Sequence, residues 1–112
     1  MTYRSNAIDV DALHDRLEDL GEVWADADAA YKALDDMTKS VLSRCMVPHE
    51  GKSVAAAETL ARRDEVFVSH LNSLAEARKN ANRARVKYDS AKAWIELWRS
   101  RNATERAAMG MR

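Results

Sequence analysis

The apolar and polar positions of this chain follow a seven-residue rhythm. Val10, Leu17, Trp24, Tyr31, Thr38 and Cys45 recur every seven residues, and Leu13, Leu20, Ala27, Leu34 and Val41 follow three residues behind. Apolar positions at alternating steps of three and four share one face of an α-helix. Held for about five heptads, the pattern predicts a long helix with a coiled-coil seam over about residues 9–46. Asp9 has the side chain of an N-cap, and the acids after it suit the positive end of the helix dipole. Gly21 interrupts this agreement, because glycine costs about 1 kcal/mol relative to alanine inside a helix. Either the helix bends there or a neighbour approaches closely.

The stretch VPHEGKS, residues 47–53, carries the internal turn chemistry: Pro48 disfavours helical geometry at Val47, Gly51 tolerates positive φ, and Ser53 is an N-cap. A turn is therefore expected over 47–52 and a second helix over about 53–101. Its apolar positions are Leu60, Phe67, Leu71 and Leu74, then Ala77, Ala81, Ala84, Tyr88, Ala91, Ile95 and Trp98. The steps 67-71-74-77 include two threes in succession, which predicts local overwinding near Leu74. Helices joined by so short a loop lie antiparallel. Pairing Met46 with Ser53 sets Trp24 opposite Ala75 to Ala77 and Leu20 opposite Lys79 to Ala81, large against small. Asn102 and Glu105 resemble a capping box, so the long helix is expected to break near Ser100 to Asn102 and restart as a short helix over about 103–109.

Composition agrees with an all-α chain: among 112 residues there are three Gly and one Pro, too few for a turn-rich fold. A length of 112 residues is one domain at most. Net charge is zero, but residues 1–46 hold ten acids against five bases and residues 47–112 hold eight acids against thirteen bases. Opposite charge on the two helices favours the antiparallel hairpin, and exposed pairs of this kind select orientation more than they stabilise. One cysteine, Cys45, falls on the seam, where a thiol behaves as a small apolar group. No segment reads as a membrane helix or signal peptide, so the expected location is the cytoplasm of a host cell, with no membrane partner.

The closing residues carry the most conspicuous apolar surface. Ala91, Trp94, Ile95 and Trp98 span an arc of about 100° on a helical wheel, with Leu97 at its edge and Arg101 close enough to stack on an indole. In the register above, Ala91 faces Ile8, Ile95 faces Arg4 and Trp98 faces Met1, so only residues before the Asp9 cap are there to cover the stripe. Either Tyr3 and Ile8 fold over it or a second chain does. A two-helix hairpin buries one seam only. Val23, Ala30 and Met37 widen the apolar set on the first helix, so a homodimer in a four-helix arrangement is expected. Trp94, Ile95, Leu97, Trp98 and Arg101 form the predicted association surface.

Candidate chemistry is sparse. Arg78, Lys79, Arg83, Arg85 and Lys87, within RKNANRARVK, have the composition of a phosphate-backbone contact. They also match the acidic first helix, and that structural reading is preferred. His14 and Glu18, with Asp11 nearby, have a spacing that can place metal ligands on one helical face, while His49 and His70 have no such cluster. A solvated acidic face accounts for them, and neither a metal nor a cofactor is expected. No catalytic constellation, glycine-rich phosphate loop or cysteine pair occurs, so the chain reads as non-enzymatic. The Asn102–Ala103–Thr104 sequon has no meaning without secretion.

EGKSVAAAE (residues 50–58) and ELWRSRNATERAAM (residues 96–109) resemble small helical-hairpin proteins encoded in tailed-phage and prophage genomes, whose members tend to end in a similar Leu-Trp-Arg-Ser, Asn-Ala-Thr sequence. The resemblance implies a phage accessory protein, without assigned chemistry, sometimes encoded near recombination genes. The functional expectation is a non-enzymatic protein that binds a host or phage protein and inhibits or scaffolds it through a rigid helical surface. The alternative is a nucleic-acid accessory factor in recombination or replication, using the basic 78–101 face with Trp94 and Trp98 as stacking platforms.

Overall fold

A computed structural model of the chain describes residues 9–110. Its elements are α1 (Val10–Met46), a 3-10 turn (Val47–His49), α2 (Val54–Ala61) and α3 (Glu65–Gly110), and no strand occurs among the described residues. No helix among them is long and apolar enough to cross a membrane. The chain divides into two compact units: unit 1 takes the residues up to Trp24 and from Arg83 onward, and unit 2 is Ala25–Asn82.

The first helix begins where the sequence places it. Asp9 Oδ1 accepts from the backbone N–H of Asp11 at 3.0 Å and of Ala12 at 3.2 Å, satisfying donors that have no partner inside the helix. Leu13, Leu17, Leu20, Trp24, Ala27, Tyr31, Leu34, Thr38, Val41 and Cys45 are shielded along α1 at the steps of four and three that the heptads require, with Gly21, Asp28, Leu42 and Met46 partly covered beside them. Val10 is the member of the expected seam that stays exposed.

The expected second helix is two helices. Ser53 Oγ caps α2 through the N–H of Ala56 at 3.2 Å, but α2 lasts only to Ala61. Its end tightens through i→i−3 bonds from Arg63 N–H to Leu60 C=O at 3.1 Å and from Asp64 N–H to Ala61 C=O at 3.0 Å. Asp64 then caps α3, its Oδ1 accepting from Val66 N–H at 2.8 Å. Gly51 has no positive φ, so the turn before α2 is made by the 3-10 geometry that Pro48 admits.

In unit 2 this break builds the core. Ala57 and Ala61 form the buried face of α2, and Ala61, fully covered, lets Val41, Cys45 and Phe67 meet around it with Leu42 and Met46 at the edge. Phe67 is 2% exposed, a burial that contributes about 1.5–3 kcal/mol. α1 and α3 run antiparallel here, with Thr38 meeting His70 and Tyr31 meeting Arg78. The expected register, in which Thr38 would face Ala61, is therefore displaced. The displacement is about the eight residues of α2 plus its exit turn, which the expected register includes in the antiparallel arm.

The seam of α3 is also more regular than expected. Its shielded positions are Phe67, His70, Leu74, Ala77, Ala81, Ala84, Tyr88, Ala91, Ile95, Trp98 and Asn102, steps of three and four in strict alternation. His70 holds the place assigned to Leu71, which is 41% exposed. No pair of threes remains, and with it goes the ground for overwinding near Leu74. His70 is tolerated because Thr38 lies opposite, with Nε2 and Oγ1 2.9 Å apart.

In unit 1 the displaced register decides what α1 covers. Trp24 meets Tyr88, with ring centroids 5.4 Å apart, in place of Ala75 to Ala77. A side-chain carbon at Gly21 would lie 3.3 Å from Tyr88 Cε1, so the close neighbour, the second of the two expectations for this glycine, is the Tyr88 ring. The break expected at Ser100 to Asn102 does not occur. With no Gly or Pro before Gly110 to interrupt the hydrogen-bond ladder, α3 continues through Asn102, and Thr104 Oγ1 donates to Ser100 C=O at 3.0 Å in place of a cap.

Candidate association surface

Unit 1 carries the predicted surface, and the structure divides its residues between two positions. Ile95 and Trp98 lie on the seam of α3, where they share a small crevice with Val10, Leu13 and Leu17 of α1. The displaced register lets α1 reach them with residues after the Asp9 cap, while Met1, Tyr3, Arg4 and Ile8, the residues expected to face or cover them, lie outside the described residues. Trp94 and Leu97 stand on the flank of α3, 49% and 51% exposed, and Val86 two turns earlier is 56% exposed. Arg101 continues that flank and is exposed. The cation–aromatic contact among the described residues belongs to Arg78 and Tyr31, so the expected stack of Arg101 on an indole is not found there.

Between this flank and α1 runs a groove of about 580 Å³. Leu13, Leu17 and Leu20 form its wall on α1, and Val86, Ala91, Trp94 and Ile95 its wall on α3. Ser90 and two cations, Arg16 from α1 and Lys87 from α3, complete the lining. The groove follows from the helix count. Each helix has an apolar face wider than one antiparallel seam can cover, so the seam leucines of α1 in this unit are shielded only in part. The sequence reading missed Leu13, Arg16, Leu17, Leu20, Val86 and Ser90 as members of the surface. Their signal is the i, i+4, i+7 relation of Ser90, Trp94 and Leu97 on one side of α3, which becomes a groove wall only in the true register.

The basic run does not form one face. Arg78 belongs to unit 2, where Nη2 and Nε donate to Tyr31 Oη at 2.8 and 3.2 Å, and this hydrogen bond holds the guanidinium above its ordinary pKa. Lys79, Arg83 and Lys87 follow one another at four-residue intervals, and Arg85 points to a different side of the helix from Lys87. The interhelical charge pairing expected for these residues is also missing. The ion pairs Asp28–Lys32 and Glu58–Arg62 and the His14–Glu18 contact, the close acid–base contacts among the described residues, each lie within one helix. Exposed long side chains gain too little from fixed pairing to hold one geometry.

The acidic side of α1 brings His14, Asp15 and Glu18 within 4.8 Å of one another, all exposed, with His14 Nδ1 3.6 Å from Glu18 Oε1. Asp15, and not the expected Asp11, completes the group. Side chains three and four residues apart on one exposed helical turn account for the geometry.

Comparisons of the chain with protein-family models, curated proteins and solved structures give no match.

Proposed function

We propose that this chain is a non-enzymatic protein-binding module, a phage or prophage accessory protein of the kind its 50–58 and 96–109 stretches resemble. Under this reading it inhibits or scaffolds a host or phage protein by docking it on the flank of unit 1. The observation that supports the reading is the set of half-exposed Trp94, Leu97 and Val86 beside a leucine-lined groove. Large apolar side chains grouped at a groove are the usual anatomy of an interface and are costly to leave in water. A partner that adds helices there completes the four-helix arrangement that the paired apolar faces call for. A second copy and a different protein are the two candidate occupants.

The test is capture from host-cell extract by the wild type and by a Trp94→Asp, Leu97→Asp variant whose circular dichroism and melting match the wild type. A protein retained by the first and released by the second supports the reading. Identical retention by both contradicts it.

A further inference from the structure

We infer that the groove of unit 1 receives an amphipathic helix whose apolar stripe is edged with carboxylates, supplied by a protein other than a second copy of this chain. The inference rests on reading this flank as an association surface and goes on to name its occupant.

The charge of the groove selects its occupant. The groove lining is apolar except for Ser90, Arg16 and Lys87, so each wall contributes one cation and neither contributes an acid. The ion pairs among the described residues involve neither Arg16 nor Lys87. Arg83, one turn before Lys87, and Arg101, one turn after Leu97, extend the same side of α3, and both are exposed. On the α1 side the nearby acids are Asp19 and Asp9, and Asp9 already caps the helix. Cations beside an apolar floor complement a helix with Leu-like anchors and flanking Asp or Glu.

The length of the groove also suits a helix. Val86 to Leu97 spans three turns of α3, about 16 Å, which matches a helix with anchors at i, i+3 or i+4, and i+7. Two parallel walls lined with leucine, valine and alanine accept side-chain knobs.

Other occupants fit this groove less well. Two copies meeting through this flank would bring the cations Arg16, Arg83, Lys87 and Arg101 of one copy against the same set on the other, a like-charge contact that costs binding energy. The exposed apolar residues beside the acids of α1 are Val23 and Met37, fourteen residues apart with only Ala30 between them on that side, and they do not supply large anchors at i, i+3 or i+4, and i+7. A single nucleic-acid strand needs successive aromatic platforms. Trp94 is the aromatic residue of this lining, and the rest is aliphatic.

The experiment uses the full chain and three labelled probes: an end-capped helical peptide with leucines at i, i+3, i+4 and i+7 edged by glutamates, the same peptide edged by lysines, and a thymidine oligonucleotide. Fluorescence anisotropy should show the glutamate-edged peptide binding at least about tenfold tighter than the lysine-edged one. Trp94→Ala should weaken that binding by at least about tenfold. The Arg16→Glu, Lys87→Glu variant should reverse the preference between the peptides while melting as the wild type does. Equal binding of both peptides overturns the acidic-helix inference and leaves the association surface standing. So does a dimer, seen by light scattering, that dissociates on Trp94→Ala and binds neither peptide. Oligonucleotide binding that Trp94→Ala abolishes, in preference to either peptide, overturns the inference in favour of nucleic acid. A monomer that binds no probe up to about 1 mM, an affinity limit near 4 kcal/mol, removes the inference, and unchanged capture by the Asp variants separately removes the association surface.

Discussion

Thr38 and His70 show how a single polar pair can sit inside an apolar seam. Thr38 Oγ1 lies 3.4 Å from Leu34 C=O and 2.9 Å from His70 Nε2. With the hydroxyl proton directed to the carbonyl, Nε2 donates to Oγ1 and both groups are satisfied. The two partners are therefore not equivalent. Thr38→Val leaves a donor on His70, itself only 9% exposed, without an acceptor and should cost about 1–3 kcal/mol. His70→Leu leaves the threonine bonded to its own helix and restores an aliphatic seam residue, so it should cost less or stabilise. Thermal melts of both singles and the double variant check this, and the double should recover much of the Thr38→Val loss. The sequence held half of the pair. Thr38 is legible as a seam residue from its heptad, but at the facing position hydrophobicity points to Leu71 where spacing points to His70. A polar residue already fixed in one seam asks for a polar partner in the other, and that was the available signal.

At the scale of elements, α1 was legible almost to the residue, since cap, heptads and turn all agreed. The division of the second helix was not. ARRDE, residues 61–65, contains neither Gly nor Pro, and good helix formers surround it, so local propensity gives no reason to stop. The break is stabilised by tertiary burial, with Ala57, Ala61 and Phe67 covered only if α2 turns against α1 within unit 2. Asp64 was the one local sign. Asp64→Ala removes the cap on Val66 N–H and should lower stability by about 0.5–2 kcal/mol in a denaturant titration. Phe67→Ala empties the junction of the three helices and should cost about 3–5 kcal/mol. Cys45 lies in the same cluster and is buried, so a thiol reagent should label it slowly in the native wild type and markedly faster in Phe67→Ala. Rapid labelling of the wild type would show that this core is not closed.

At the scale of the whole molecule, the missed break governs what sequence reading could say about function. In the expected register Ile95 and Trp98 lie beyond the reach of α1 and uncovered, whereas the seam of unit 1 takes both. Trp94 and Leu97 were legible as surface-active residues because no register buries a flank and a seam with only two helices. Their groove was not legible, because its other wall, Leu13, Leu17 and Leu20, was matched to the wrong part of the chain. The central claim is that these two side chains serve association and contribute little to folding. It is tested most directly by comparing the Trp94→Ala, Leu97→Ala variant with the wild type in both melting and binding of the glutamate-edged helical peptide. The account expects unfolding free energies that agree within about 1 kcal/mol, since both residues are half-exposed, and a loss of affinity of about thirtyfold or more. A variant that loses stability and keeps its affinity would contradict it.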